Sequence, residues 1–382
     1  MLETSDRFTI DGLFRTEGEH ELKKCLVINM FSKRESSYSL HYTRILESRG
    51  VPYDVVYFER YGYSYQPAEN ERIISRDCPT GGNKIKKLKP MLEYAAFIRS
   101  LLKRNEYGSA ILLTTVPAVL AADILLKKYR DNFILDIRDY THENNGLYYW
   151  IVNKLTDAAA SVVLSSEGFK SFLPESEKYV VTHNIAVDYA VTDRSPLERK
   201  EHYNIGFVGS IRYFEENSAL IWQLRDQAKY SLHYFGTHAV DCDLEAFCRD
   251  EGIGSVTFHG RFENEQKAEI YKQIDFINSI YPSHGLETTT AVPNRFYDAA
   301  IYRCPIIVTR GTFLEKMVEK FHLGFAVDMS KDSIVDALEA YIQSFDRKAF
   351  IENCDAMLDM GRQDIETFHR AVDDFASRAG KN

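Results

Sequence analysis

The sequence lacks several features that would define its class at once. Six cysteines are scattered through 382 residues with no CxxC pair, a pattern typical of reduced, buried thiols and not of a disulfide framework. Ten prolines and 20 glycines are too few for a low-complexity or collagen-like chain. No apolar stretch is long enough to span a bilayer, and the first 24 residues have no signal-peptide core. We therefore expect a cytoplasmic protein, soluble or peripheral on the inner face of the plasma membrane.

Positive charge is also in deficit. The 47 Lys and Arg residues against 56 Asp and Glu give a net charge of −9, which argues against a surface built to grip nucleic acid. Hydrophobic residues make up 45% and aromatics 13%, which excludes global disorder. At roughly 150 residues per domain, this length favours two domains.

Apolar runs alternate with helical patterns along the whole chain, which predicts an α/β protein with parallel, doubly wound, Rossmann-like sheets. A polar segment around Pro196 interrupts the alternation, which then restarts. We predict a first domain over 1–192, a linker over 193–203, a second domain over 204–355 and terminal helices over 356–382. Two such domains would face each other across a cleft at the carboxyl ends of their strands. The first-domain strands are predicted at 25–31, 53–58, 109–115, 133–137, 160–164 and 179–182.

Residues 205–212 (IGFVGSIR) form a strand that ends in Gly209 and Ser210. A small turn at this position allows backbone N–H groups to approach an anion at a helix N-terminus, and Arg212 could add a contact to a phosphate. The alternative is a tight strand-to-helix turn with a solvated arginine.

Residues 291–308 (AVPNRFYDAAIYRCPIIV) form a more specific segment. Asp298 follows Asn294 by four residues, so both side chains lie on the same face of the predicted helix. A carboxylate can accept two hydrogen bonds from neighbouring hydroxyls such as a ribose diol. The alternative is an N-cap asparagine with a surface pair.

Asp139, His142 and Glu143 form a cluster capable of acid–base chemistry just after a predicted strand. The alternative is a structural ion pair between Asp139 and Arg138. No histidine pair has convincing metal spacing, and Asp241-Cys-Asp243 is interpreted as a polar loop, so we predict no metal and no cofactor.

Residues 83–104 concentrate seven cations in an acidic protein. Apolar residues recur there at helical spacing, including Leu88, Met91 and Leu92. The segment is interpreted either as an amphipathic helix packed on the first domain or as a site of attraction to anionic membrane.

The 291–308 segment resembles the donor-nucleotide signature of GT-B glycosyltransferases, in particular the large retaining family, called family 4, that builds capsules and O-antigens. The turn at 207–212, residues 256–260 (VTFHG), residues 135–139 (LDIRD) and residues 180–184 (VVTHN) resemble other landmarks of these enzymes, in the same order. The resemblance covers nearly the whole chain from Lys24 onward. It implies that the terminal helices cross back to the first domain.

The resemblance also implies roles for individual residues. Asp298 matches the acidic position that binds the donor ribose. The family pairs this position with another acidic residue eight residues earlier, its first glutamate, where this chain has Thr290, and Glu287 is the candidate replacement. A lysine that usually follows the glycine turn is replaced by Glu215 and Glu216, which leaves Arg212 or Arg295 to neutralise the diphosphate.

The implied function is transfer of a sugar from a nucleotide-sugar to a glycan or lipid-linked acceptor in cell-surface polysaccharide synthesis. The alternatives are a catalytically silent partner subunit of the same fold and a sugar-nucleotide 2-epimerase. The stereochemical outcome, retaining or inverting, stays open at this point.

Overall fold

A computed structural model describes residues 23–78, 84–183, 185, 191–192, 196–239 and 242–379. Asn184 and Asp241 lie outside the described residues. All six cysteines are buried with free thiols. The described residues form one parallel sheet of seven strands and another of six, each flanked by helices. The predicted α/β class is confirmed.

The first sheet has the strand order β3-β2-β1-β4-β5-β6-β7. Its central strands are buried on both faces, as their continuous apolar runs require. Its strands are β1 (Lys24–Asn29), β2 (Tyr53–Glu59), β3 (Glu71–Ser75), β4 (Tyr107–Leu113), β5 (Phe133–Ile137), β6 (Ser161–Leu164) and β7 (Tyr179–Val181), and its helices are α1 (Leu40–Ser48), α2 (Lys84–Leu102), α3 (Thr115–Leu120), α4 (Ala122–Lys128) and α5 (Gly146–Ala158).

The second sheet has the order β10-β9-β8-β11-β12-β13. Its strands are β8 (Tyr203–Val208), β9 (Tyr230–Phe235), β10 (Val256–Gly260), β11 (Phe276–Ser279), β12 (Ile306–Thr309) and β13 (Gly324–Val327), and its helices are α6 (Phe214–Leu224), α7 (Leu244–Asp250), α8 (Lys267–Lys272), α9 (Leu286–Thr290), α10 (Asn294–Ile301), α11 (Phe313–Phe321) and α12 (Ile334–Ser344). In both sheets the strand order changes direction beside the first strand, between β1 and β4 in the first sheet and between β8 and β11 in the second. A crevice opens at the carboxyl edge of a sheet at such a position.

The predicted return to the first domain is made by one helix, α13 (Arg347–Ala379), which is 33 residues long. Phe350 and Met357 in its first half belong to a core cluster of the second domain. Phe368 and Phe375 in its second half belong to a core cluster of the first domain. At 1.5 Å per residue the helix extends for about 50 Å, and it is anchored at both ends by buried aromatic rings.

The two domains also meet at His183, just beyond β7. Its Nδ1 lies 2.9 Å from the hydroxyl of Tyr297 on α10, and its Nε2 lies 2.8 Å from the Asp364 carboxylate on α13. Nearby, a Cβ added at Gly361 would lie 2.8 Å from Ile185 Cδ1. Ile185, just after the first domain, therefore packs directly on the helix that crosses between the domains.

A second contact between the domains lies beside the cleft. Ser166 Oγ donates to the Thr290 carbonyl oxygen at 2.6 Å. A Cβ added at Gly168 would lie 2.3 Å from that same oxygen and 2.8 Å from the ring of Phe313. The glycine thus allows the first domain to approach the α9 segment closely.

Candidate active site

A cleft of about 490 Å³ lies between the two sheets, at the carboxyl ends of their strands. The first domain contributes residues that follow β5 and β6, and the second contributes the turn after β8 together with parts of α8, α9 and α10. The sequence-predicted residues in its lining are Asp139, Gly209, Ser210, Arg212, Glu287, Asn294, Arg295 and Asp298.

The glycine turn after β8 requires its glycines. Gly209 has a φ of 137°, and a Cβ added at Gly236, which directly follows the neighbouring strand β9, would lie 1.8 Å from the Gly209 carbonyl oxygen. Helix α6 begins only at Phe214, after Tyr213 in a left-handed conformation, with Glu215 and Glu216 in its first turn. The turn is therefore not itself a helix N-terminus, which corrects one part of the sequence interpretation.

Arg212 and Arg295 occupy different environments. Arg212 is exposed in the cleft, with Nε 3.4 Å from Ser210 Oγ. Arg295 is buried, donates to the Val208 carbonyl oxygen at 2.9 Å and lies 3.9 Å from the centre of the Phe207 ring. Arg212 is thus available to a ligand, whereas Arg295 is held in the wall behind the glycine turn.

Asp298 lies one turn into α10, as predicted, but it is 93% buried and engaged within the protein. Lys267 Nζ lies 3.1 Å from its Oδ2, and the Tyr271 hydroxyl donates to the same oxygen at 2.8 Å. Burial and the Asp298 charge together hold the pKa of Tyr271 well above its ordinary value. Asn294 is the first residue of the helix and not its N-cap, which is Pro293.

Asp139 opens into the cleft from the end of β5. Asp139 keeps solvent-accessible surface, but the surrounding cleft walls displace part of its water. This desolvation, followed by the charge of Glu287, raises the pKa of Asp139 to about 6, against the opposing effect of Arg138 and Arg212. Arg138 donates from Nε to Asp136 Oδ1 at 3.0 Å. The structural partner of that arginine is therefore Asp136, and Asp139 and Glu287 form a pair of carboxylates that face the cleft from opposite domains.

His142 and Glu143 do not join Asp139. His142 lines a separate cavity of about 440 Å³ on the first domain and makes an edge-on contact with Tyr148. Glu143 is buried, where its carboxylate accepts from Thr115 Oγ1 at 3.0 Å and from the Thr141 backbone N–H at 2.7 Å. The chain turns away from the cleft after Asp139, so neighbours in sequence are separated in space.

Some residues in the cleft were missed by sequence reasoning. Lys267 is the clearest case, since it places a cation beside Asp298 from 31 positions earlier. No motif links the two residues, although Lys267 and Tyr271 share one face of a short helix. The other missed lining residues are Ser165, Phe169, Tyr213, Phe262, Asn264 and Tyr281.

In the part of the chain that the structure describes, no three His, Cys, Asp or Glu side chains are grouped so as to hold a metal ion. Asp243 instead caps α7, accepting from the Ala246 backbone N–H at 2.9 Å. None of the described helices is long and apolar enough to cross a membrane.

No protein-family model matches this sequence, and no curated protein matches it either. Solved structures do match over nearly full length. Sucrose-phosphate synthase from Thermosynechococcus elongatus matches with a TM-score of 0.64 at 10% identity, over 94% of this chain and 98% of the other. The lipopolysaccharide outer core galactosyltransferase WaaB matches with a TM-score of 0.63 at 14% identity, over 91% of this chain and 99% of the other.

HepE of Anabaena, solved in complex with UDP and glucose, matches with a TM-score of 0.60 at 14% identity, over 91% of this chain and 99% of the other. At such low identity these matches establish the fold. The chain has the two-domain GT-B fold of glycosyltransferases, as expected from the sequence. Membership of the retaining family stays a prediction.

The raised pKa of Asp139 predicts a measurable effect on stability. The folded protein holds this proton more tightly than the unfolded chain, so stability is lost as the pH rises from about 4 to about 6, and the loss is complete above about pH 6. Asp139→Asn should therefore raise the thermal midpoint at pH 7.5. The gain should shrink as the pH falls through 6 and vanish below about 4, where the acid is protonated in both states. When Glu287 is first replaced by Gln, the rise in thermal midpoint caused by Asp139→Asn should be smaller, because the Glu287 charge is one cause of the raised pKa of Asp139.

Asp328→Asn provides a control of opposite sign. Hydrogen bonds from Lys331 and Ser330 lower the pKa of Asp328 to about 2, so its removal should lower the midpoint at pH 7.5. Thermal unfolding followed by circular dichroism between pH 3.5 and 8 measures Asp139→Asn, Glu287→Gln, the double variant of these two, and Asp328→Asn. A difference between Asp139→Asn and the wild type that did not change with pH would contradict the assignment.

Proposed function

We propose that this protein is a glycosyltransferase that moves a sugar from a nucleoside diphosphate sugar to a glycan or lipid-linked acceptor. The observation that carries the proposal is the cleft between the domains, where Asp298 and Lys267 lie beside a glycine turn and the exposed Arg212. A carboxylate, two cations and close backbone N–H groups are the groups that a ribose diol and a diphosphate require.

The donor would lie along the second domain. Its ribose hydroxyls would donate to Asp298, and its diphosphate would contact Arg212, Lys267 and the backbone of Ser210. The Gly209 N–H already donates to the Phe235 carbonyl oxygen at 2.9 Å, so Gly209 would serve by its lack of a side chain. Arg295 would act through the turn that it braces and not through direct contact. UDP is the first nucleotide to test, because the HepE structures contain UDP, UDP with glucose, or UDP-glucose.

In the transfer step, an acceptor oxygen attacks the anomeric carbon as the bond from that carbon to the diphosphate oxygen breaks. The cations beside the diphosphate would stabilise the charge that develops on the leaving group. The acceptor proton passes either to the departing phosphate, which accompanies retention, or to Asp139, which suits inversion. A pKa near 6 leaves Asp139 mostly ionised at neutral pH and able to accept that proton.

One observation favours the catalytically silent alternative. Thr290, which stands where the family has its first glutamate, is buried, and its Oγ1 donates to the Leu286 carbonyl oxygen at 2.5 Å. It supplies no carboxylate to the cleft. Glu287, one turn of α9 earlier, does face the cleft and is the residue that would take this role in an active enzyme. A sugar-nucleotide 2-epimerase would use the same donor site.

Donor hydrolysis separates these functions. We expect the protein to release UDP slowly from at least one UDP-sugar without acceptor, and a bound nucleotide at 100 times its Kd should stabilise the fold by about 2.7 kcal/mol. Thermal shift with UDP-, GDP- and ADP-sugars identifies the donor, and chromatography measures the released diphosphate. Stabilisation without release would indicate the silent subunit, and interconversion of the sugar would indicate the epimerase. No stabilisation by any of these donors would contradict the proposal.

The role of Asp298 is tested by a cycle that combines a protein change with a ligand change. Hydrogen bonds to a charged group contribute about 1.5–3 kcal/mol, so Asp298→Ala should weaken UDP binding by ~10–100-fold. Removing the 2′ and 3′ hydroxyls of UDP should weaken binding to the wild type by a similar factor. The Asp298→Ala protein should bind UDP and dideoxy-UDP equally, because the ribose has lost its partner.

Calorimetric titration measures the four affinities. Lys267→Ala is the matched control, since it removes the other half of the ion pair while leaving the carboxylate in place, and it should preserve the preference for UDP over dideoxy-UDP. Circular dichroism checks folding, because Asp298→Ala leaves Lys267 and Tyr271 without this partner. An unchanged preference in a folded Asp298→Ala protein would exclude ribose binding by this residue.

A lipid-linked acceptor would place the enzyme at the cytoplasmic face of an anionic membrane. On α2, Leu88 and Leu92 are each 60% exposed beside Lys86 and Lys89, so part of the apolar set predicted from the sequence faces outward. Helix α5, on the same side of the sheet, exposes Trp150. Exposed apolar side chains among lysines suit the boundary between lipid headgroups and acyl chains.

Replacing Lys86, Lys87 and Lys89 together by Gln should therefore weaken binding to anionic vesicles. Each lysine near such a surface contributes about 1 kcal/mol, so the loss at low salt should be roughly 100-fold. Replacing Lys127, Lys272 and Lys348 by Gln changes the net charge equally and should have little effect. Co-sedimentation with phosphatidylglycerol-containing and neutral vesicles measures both variants. Equal binding to both lipids, or none to either, would exclude this surface.

A further inference from the structure

Tyr213, between the glycine turn and α6, has an unusual backbone conformation. Its φ and ψ are 62° and 71°, in the left-handed region that residues other than glycine, asparagine and aspartate rarely adopt. A helix N-cap normally has an extended backbone and a side chain that accepts a hydrogen bond from the helix. In the described structure the Tyr213 side chain accepts no such bond, so capping of α6 does not explain the conformation.

A buried asparagine holds this strained segment in place. Asn217, which is fully buried on α6, donates from Nδ2 to the carbonyl oxygens of Arg212 at 2.9 Å and Tyr213 at 3.1 Å. Its Oδ1 accepts from the Tyr234 hydroxyl on β9 and from Asn278 Nδ2 on β11, both at 3.0 Å. Two strands and one helix thus fix the Asn217 amide, and the amide fixes the turn. Strain that the surrounding structure maintains in this way tends to mark functional residues.

The left-handed conformation allows two successive side chains to reach the cleft. Arg212 and Tyr213 both line it, whereas successive side chains of an extended strand point to opposite sides. The Tyr213 ring is half-buried and meets the Tyr281 ring edge-on, with 5.2 Å between the ring centres. Tyr281 is braced in turn by Arg295, whose Nη2 donates to the Tyr281 hydroxyl. The Tyr213 ring therefore has a defined place in the cleft wall.

The neighbours of Tyr213 indicate which part of a donor it would meet. Its Cα is about 3.8 Å from that of Arg212, the exposed cation that would contact the diphosphate. Burial and then the charge of Glu287 raise the pKa of Tyr213, and the same carboxylate contributes to the raised pKa of Asp139. Tyr213 is therefore close both to the proposed diphosphate position and to the carboxylates that face the cleft. The sugar is bonded directly to the diphosphate, so it would lie in this same space.

We propose that Tyr213 recognises the sugar that is transferred, by packing its ring against the apolar C–H face of that sugar. An aromatic ring offers a large, rigid apolar surface for such a contact. This inference rests on the proposed function and adds a specificity-determining residue to the donor site. Asp298, Lys267 and Arg212 would contact only the nucleoside diphosphate, which all UDP-sugars share. Those three residues would therefore bind every UDP-sugar alike, whereas Tyr213 would contact the part that differs.

Tyr213→Asn tests this proposal, because asparagine tolerates the left-handed backbone and removes the ring. Calorimetric titration compares UDP with UDP-glucose, UDP-galactose and UDP-N-acetylglucosamine, or the corresponding GDP or ADP series if the thermal screen selects it. Tyr213→Asn should weaken the best-bound nucleotide-sugar by about fivefold, as expected for one aromatic packing contact, while it binds the free diphosphate like the wild type. Tyr213→Phe keeps the ring and should bind all of these ligands like the wild type. Tyr213→Gly, which also accepts this backbone, replaces the asparagine variant if that variant does not fold.

Phe214→Ala is the matched control. Phe214 is the next residue along the chain, is 37% exposed, packs edge-on against Phe247 and lies outside the described lining of the cleft, so this variant should bind every ligand like the wild type. Three results would each overturn the role of Tyr213: unchanged nucleotide-sugar affinity in folded Tyr213→Asn, an equal loss for the free diphosphate, or the same loss in Tyr213→Phe. A wild type that binds no nucleotide or nucleotide-sugar would instead overturn the proposed function.

Discussion

The imidazole ring of His183 forms hydrogen bonds that connect three parts of the chain, and the relative positions of these parts define the cleft. His183 follows the last strand of the first domain and bonds both Tyr297 on α10 and Asp364 on α13. Helix α10 carries Arg295 and Asp298 into the cleft. The position of the second-domain side chains relative to Asp139 therefore depends on this junction and on the contact of Ser166 with Thr290.

The residues of the cleft differ in whether their charged groups already have partners within the protein. Arg295 and Asp298 are buried and bonded to neighbouring groups, so a ligand would have to share or replace existing partners. Arg212, Glu287 and Asp139 are exposed to the cleft. We infer a site with a rigid wall beneath the glycine turn and a set of free charges at the meeting of the two domains, where the chemistry of transfer would occur.

Much of this architecture follows from the sequence, because apolar runs bounded by turns identify buried parallel strands. Strand β3 escaped prediction since it is a half-exposed strand of mixed polarity, Glu71–Ser75. Residues that are close within one segment, such as Asn294 and Asp298, both line the cleft, and their role as a donor site stays a prediction. Contacts between distant segments were not predicted, because only tertiary packing brings Lys267 to Asp298 or turns His142 away from Asp139. Because Asp139, His142 and Glu143 are close in sequence, we predicted that they form one cluster, but in the fold His142 lines a different cavity from Asp139.

The crossover helix has a mechanical consequence. Helix α13 is continuous and has buried aromatic rings in the cores of both domains, so a rotation of one domain away from the other would have to bend the helix or pull one of its ends out of a core. The span between the two cores contains Gly361, whose lack of a side chain lets the helix press against Ile185. The helix and Ile185 thus meet at a position without room for a side chain, so any change in the angle between the domains would have to preserve or break this contact.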